Sequence, residues 1–252
     1  MDDYFVSHIK DLKRECVEKD YLTHSSFLGL LEQAKLKKEM PYLITDKVRY
    51  YAQENAERKI LVFLPSYYSS LENAMKEINP ISLLLISPKS EKFSEEISHR
   101  DVLGALMSLG IERETIGDVI IHEKSAYVYV LSSLKEEIFS SLDSIAHNKV
   151  KVSELPSLDC PYAPKYIEKT ISVSSNRLDA ILSEVFPVSR ETAKKHIQNG
   201  NVYASEHEAI KNDISLKEGE AISLRGYGKF YYLKEVGISK KGKLRILVKK
   251  PL

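Results

Sequence analysis

RLDAILSEVFPVSRETAKKHIQNGNVYA, residues 177–204, decides the fold of the C-terminal third of the chain. Leu178, Ile181, Leu182 and Val185 recur at three- and four-residue steps, which makes one face of a short helix apolar, and Pro187 ends it. A second helix begins at Ser189, a natural N-cap whose hydroxyl takes a free backbone N–H. Ala193 and Ile197 face inward, and Gly200 supplies the left-handed position that closes the helix. Arg190 and Lys194 then stand one turn apart, Lys195 flanks them on the solvent side, and Arg177 opens the first helix. A surface of this kind suits phosphates: arginine offers a planar fork, lysine a compact charge, and a helix N-terminus free N–H groups.

Downstream, the runs 201–204, 219–225, 229–236 and 243–250 read as strands, with Leu244, Ile246 and Val248 alternating against Arg245 and Lys249. RGYGKF, residues 225–230, sets Gly226 and Gly228 beside Arg225 and Lys229, so a hairpin turn with flanking cations is expected there. Of the 252 residues, 43% are hydrophobic and 29% charged, which excludes collagen-like and wholly disordered chains. The formal net charge of +1 conceals polarity along the chain. Residues 165–252 hold 17 Lys and Arg against 10 Asp and Glu, leaving 20 against 26 for residues 1–164. A basic third joined to a mildly acidic remainder is the electrostatic footprint of a nucleic-acid module carried by another domain.

The acidic remainder divides by periodicity. Phe5, Ile9, Leu12 and Cys16, then Phe27, Leu30, Leu31 and Ala34, follow helical spacing, so residues 1–58 are expected to be helical. From Lys59 two apolar runs, KILVFLP and ISLLLISP, flank a helical stretch near 70–78, which reads as a βαβ unit in a mixed sheet. A helix at about 100–109, two strands at 118–123 and 125–132, a helix at 134–146 and the strand KVKV complete a central α/β domain over 59–155. Its last part has the element order of a ferredoxin-type or RNA-recognition-type unit. Pro156, Pro161 and Pro164 mark residues 156–170 as a linker. The class is therefore α+β, ending in a small module of two helices and a short sheet over 171–252.

The residues of the C-terminal constellation resemble, over about 70 residues, the RNA-binding module first described in ribosomal small-subunit protein four. The pattern comprises RLD, the SR pair opening the second helix, the I-x-x-G-x-V strand entry and a later G-E-x-I. AERK at 56–59 and HRDVLGALMSLGIERETIGDVII at 99–121 are similar to the central region of the YlmH family, bacterial proteins carrying this module at their C-terminus. That resemblance implies a non-catalytic RNA-binding factor, on ribosomal RNA or tRNA, associated with the large ribosomal subunit and the quality control of stalled nascent chains. The implied RNA-binding residues are Arg177, Ser189, Arg190, Lys194, Lys195, Asn201, Ser205, Arg225 and Lys229. The sequence departs from the pattern at four of its positions. Asn201 replaces a usual Lys, Ser205 a usual Asn, Glu220 the commoner Asp, and Lys229 an Arg whose bidentate phosphate contact a lysine cannot make.

Rival chemistries fare worse. HRD at 99–101 lacks the Asn of a kinase catalytic loop, Leu106 standing in that position, and there is no glycine-rich loop. RLD at 177–179 also occurs in pseudouridine synthases, but lacks the turn that follows the catalytic aspartate there. No GxGxxG supports a methyltransferase, and the seven histidines show no metal spacing, so no cofactor or metal is expected. Cys16 and Cys160 are expected as reduced structural thiols. An RNA-modifying enzyme with its chemistry in the central domain is the alternative, Asp101 being its one evident acid. Tyr127 and Tyr129 alternate along a strand, as base-stacking platforms do, although core packing is the commoner fate of such a pair; Tyr227, Tyr231 and Tyr232 lie nearer the basic loop, and Phe230 is expected to pack inward. An acidic, charged N-terminus and the lack of a roughly 20-residue apolar run lead to the expectation of a cytoplasmic monomer without membrane contact. Residues 1–155 are expected to be able to dock a protein partner.

Overall fold

A computed structural model of the chain describes residues 2–54, 56–163, 166–204, 207–208 and 216–251. Pro164 and Ser205 lie outside the described residues, as do the side chains of Leu31 and Ala34. The chain forms two compact units, 1–163 and 164–252.

The first unit opens with α1 (Asp2–Lys19), β1 (Thr23–His24), α2 (Leu30–Glu39), β2 (Val48–Tyr51), β3 (Ile60–Phe63) and α3 (Leu71–Glu77). β3 lies between β1 and β2 in a three-stranded antiparallel sheet. The expectation of a purely helical region before residue 59 is thus corrected. Thr23–His24 and Val48–Tyr51 are too short to show a period of two, and they become strands only because β3 lies between them.

The chain continues through β4 (Ile81–Pro88), α4 (His99–Ser108), β5 (Ile116–His122), β6 (Ser125–Leu131), α5 (Lys135–Ser141), β7 (Ser144–Ile145) and β8 (Asn148–Glu154). These strands form a second sheet in the order β5-β6-β4-β8-β7, every neighbouring pair antiparallel. Without β7, this is the βαββαβ arrangement of the ferredoxin-like unit. The βαβ reading of 59–88 is corrected: β3 and β4 belong to different sheets and do not pair. Both strands are buried on both sides, so their continuous apolar runs carry no sign of which sheet each joins. The helix expected to reach residue 146 stops at Ser141, where the chain turns into the β7–β8 hairpin.

Alternate residues of β6 face two different cores. Ala126, Val128 and Val130 pack with Leu84 and Ile86 against Val102 and Leu106 of α4 and Ile138 of α5. Tyr127, Tyr129 and Leu131 pack on the other side with Phe27, Ile60, Val62 and Tyr68 from the N-terminal part of the chain. Leu155, Leu158 and Cys160, in the proline-containing stretch, cover the same face. That stretch is therefore packed against the sheet up to at least Cys160, and at Tyr166, the first described residue after Ala163, a strand begins.

The second unit comprises β9 (Tyr166–Val173), α6 (Leu178–Val185), α7 (Arg190–Gln198), β10 (Val202–Ala204), β11 (His207–Glu208), β12 (Ala221–Leu224), β13 (Gly228–Ile238) and β14 (Leu244–Pro251). Its antiparallel sheet has the order β11-β10-β12-β13-β14-β9. Leu178, Ile181 and Leu182 of α6 and Ala193 and Ile197 of α7 pack on Ile222, Phe230, Tyr232, Ile246 and Val248 of the sheet. Each of these large side chains contributes roughly 1.5–3 kcal/mol by leaving water. Together they hold the two helices against one face of the sheet.

Gly117, where β5 slips register against β6, is required by a close approach rather than by its dihedrals. A Cβ there would lie 2.7 Å from the Phe27 ring and 2.9 Å from the Cβ of Tyr129. Gly117→Ala is therefore expected to destabilise the protein by about 1–3 kcal/mol through overpacking. Gly104, exposed on α4 with nothing within 4 Å of its absent Cβ, should instead gain about 0.5–1 kcal/mol on substitution by Ala. Urea unfolding of the two variants beside the parent checks both signs.

Candidate nucleic-acid interface

The centre of the C-terminal surface is a carboxylate. Asp179, in the first turn of α6, is 0% exposed. One of its oxygens accepts the Nε–H of Arg177 at 3.1 Å and the other the Nε–H of Arg190 at 2.8 Å. The arginine side chains remain 39% and 46% exposed, so each is anchored from below while part of its guanidinium faces water. Burial pushes the Asp179 carboxyl up, but the bonds from Arg190 and Arg177 more than offset this, and the group titrates below the usual aspartate range. Two guanidiniums thereby share one surface with half of their combined charge compensated.

Arg190 is also the first residue of α7. Ser189 precedes it, its Oγ accepting the N–H of Thr192 at 3.1 Å, as an N-cap should. Ser189 thus shapes the helix entry. Lys194 and Lys195 are exposed further along α7, with Lys195 3.5 Å from Glu191, a solvated pair of little energetic weight. At the far end of the helix the carbonyl of Asn201 accepts the N–H of Arg225 at 2.9 Å, joining the start of β10 to the β12–β13 turn. Arg225 is exposed in that turn. Arg177, Arg190, Lys194, Lys195, Asn201 and Arg225 thus all belong to the two helices and the elements joined to their ends.

Lys229 is placed differently. Phe230 and Tyr232 of β13 enter the core beneath the helices, so alternation turns Lys229 and Tyr231 to the opposite face of the sheet. Its Nζ lies 5.9 Å from the centre of the Tyr231 ring, and burial lowers its pKa to about 8. On the same face Lys249 stands 4.0 Å from the Tyr166 ring and 5.6 Å from that of Tyr231. This lysine–tyrosine group joins β9, β13 and β14. Reading the sequence misses it, because Tyr166 and Tyr231 are 65 positions apart and meet only through β14.

In the first unit the features that invite chemistry have structural partners. Asp101 accepts from the N–H of Ser98 at 2.8 Å and from its Oγ at 2.6 Å, while Ser98 Oγ accepts the Asp101 N–H, a reciprocal capping box at the start of α4. These bonds hold the Asp101 carboxyl below its ordinary range, the wrong direction for a general acid. His99 is lowered by burial and by nearby Arg113. Arg58 donates to the carbonyls of Ile116 at 3.0 Å and Phe27 at 2.9 Å, and Asp118 accepts the backbone N–H groups of Glu57 and Arg58. The AERK and IGD segments thus tie β3 to β5. Tyr127 and Tyr129 are 8% and 2% exposed, with Tyr129 Oη bonded to Gln53 and to the carbonyl of Leu158. The sheet face that RNA-recognition folds leave open is covered here, so neither ring is available to a base. Among the described residues no group of three His, Cys, Asp or Glu is placed to hold a metal.

Residues 76–159 match the family model described as "Putative RNA-binding domain in YlmH". The chain is similar to the "Ribosome-associated protein quality control protein P2" of Bacillus subtilis (strain 168), 25% identical over 243 residues, which are 96% of this chain and 92% of that protein. A solved structure, "Cell division protein ylmH from Streptococcus pneumoniae", superposes with a TM-score of 0.45 at 21% identity, covering 62% of this chain and 91% of that one.

Asp179 generates a prediction with a definite pH sign. Its carboxyl prefers the charged form when folded, so its stabilisation is complete above the pKa of an unfolded aspartate, about 3.9, and is lost as pH falls below it. Asp179→Asn should cost about 2 kcal/mol at neutral pH through the weakened arginine bonds. It should also flatten the acid limb of the stability profile. Thermal unfolding of parent and variant between pH 3 and 7 checks both.

Proposed function

We propose, for a chain whose residues 76–159 match the model of a domain described in YlmH, a non-catalytic RNA-binding factor that works on the ribosome. Its C-terminal unit, of the type found in ribosomal small-subunit protein four, grips structured ribosomal RNA or tRNA on the large subunit through phosphate contacts. The observation that carries this reading is the arginine pair seated on Asp179 beside the capped start of α7, with Lys194, Lys195 and Arg225 exposed on the same unit. Buried anchoring fixes where the guanidiniums stand before RNA arrives, so less side-chain entropy is lost on binding. The name of the Bacillus subtilis relative, a ribosome-associated quality control protein, supports a role with stalled nascent chains. The protein acts as a cytoplasmic monomer, and its first unit is a scaffold that presents the gripping unit or docks a partner protein. The capped, low-pKa Asp101 supports the non-catalytic reading, since the central domain's evident acid is engaged in holding a helix end.

The structure selects the variants that test this. Arg190→Glu would press a second carboxylate against buried Asp179 and confound binding with unfolding. Lys194 and Arg225 have exposed side chains. The full chain carrying Lys194→Glu and Arg225→Glu should keep its stability within about 0.5 kcal/mol and stop co-sedimenting with large subunits. The corresponding double alanine variant should lower the slope of log K against log salt by about 2. Co-sedimentation equal to the parent's overturns the assignment of this surface.

A further inference from the structure

We infer that Tyr227 and His196 form a stacking subsite for one unpaired base, so that the C-terminal unit recognises RNA in which a single base is turned out beside a helix. This rests on the reading of that unit as an RNA grip and deepens it.

Tyr227 stands in the three-residue turn, 225–227, between paired Leu224 of β12 and Gly228 of β13. Gly226 and Gly228 have φ of +86° and +105°, which L side chains rarely adopt, so glycine at these two positions lets the chain reverse in three residues with Tyr227 between them. Tyr227 is 39% exposed as a residue, although the turn is fixed on both sides. The N–H of Tyr227 bonds to the carbonyl of Leu224 at 3.0 Å, and that of Arg225 to the carbonyl of Asn201.

Its inner side is backed by other rings. His196, half-buried near the end of α7, meets it edge-on at 5.6 Å and 77°. Phe186 lies 6.2 Å away and is itself packed edge-on against Phe230 in the core at 5.8 Å. A base laid on Tyr227 therefore finds a platform anchored through to the core. Such a surface needs no reordering to stack.

The surrounding charge and polarity fit a nucleotide. Arg225 is exposed in the same turn as Tyr227, and Lys250 Nζ stands 5.2 Å from the Phe186 ring that backs it, so the aromatic group carries two cations in its surroundings. The Asn201 amide nitrogen meets the His196 Nδ1 at 3.5 Å, so the ring that contacts Tyr227 belongs to a polar pair that a base edge can join. An aromatic face flanked by cations recognises a stacked base between two phosphates, which a duplex with all its bases paired does not offer.

The protein has no tryptophan, so the full chain with Tyr227→Trp carries a single reporter at the subsite. Two RNA hairpins closed by the same compact tetraloop are compared, one with a fully paired stem and one with a single bulged purine in the stem, so that the loop bases are common to both. The bulged hairpin should quench the tryptophan saturably, and the paired one should not. Tyr227→Ala should weaken the bulged hairpin roughly tenfold or more and leave the paired one unchanged, with the salt slope unaltered. Tyr227→Phe should restore binding, since the ring and not the hydroxyl is used. An equal loss on both hairpins, or an unchanged affinity for the bulged one, overturns the subsite. The Lys194→Glu and Arg225→Glu variant separates the two claims: if it binds the paired hairpin as the parent does, the grip itself fails whatever Tyr227 does.

Discussion

The C-terminal surface depends on one buried carboxylate. Asp179 is closed off from water, and a charge so placed is tolerated only where partners meet it at good geometry. Arg177 and Arg190 supply the partners, one at the start of each helix, and the consequence runs both ways. The arginines stabilise the ionised aspartate, and the aspartate sets the angle between α6 and α7 and the place of two guanidiniums on the surface. The Ser189 cap and the packing of Ala193 and Ile197 complete that geometry, so the direction of α7, along which Lys194 and Lys195 stand, follows from the same contact.

The first unit is governed by coverage instead. A ferredoxin-like sheet has one face for its helices and one that is free, and RNA-recognition domains use the free face. Here β3, α3 and Phe27 lie over it, with Leu155 and Leu158 at the side, and Tyr127 and Tyr129 become core residues. Gly117 shows how close that cover is, since even a methyl group at this position would meet Phe27. The N-terminal part of the chain is therefore built into the central domain and replaces what would otherwise be a base-stacking surface. Any RNA contact of the central domain has to use its edges, loops or helices.

Much of this was legible from residue order where the signal is local. The two short helices of the C-terminal unit, their stop at Pro187 and their cap at Ser189 follow from spacing and capping chemistry within a dozen residues. The ferredoxin-like order was legible for the same reason, as was the hairpin closed at Glu123 and Lys124. What was not legible depends on pairing at a distance. β2 shows as a strand only beside β3, and the absence of a β3–β4 pair is decided by which buried sheet each apolar run joins.

By itself, then, the sequence determined the class of each strong local element, the polarity of charge along the chain and the cations available for phosphate. Those properties come from side-chain period, capping and composition, which need no partner in space. The tertiary structure alone decided that Arg177 and Arg190 converge on Asp179, that Tyr127 and Tyr129 are covered while Tyr227 is not, and that Lys229 turns away from the helices. Each of these outcomes depends on which surfaces remain after distant segments have packed, and burial is a property of the assembled core rather than of any window of residues.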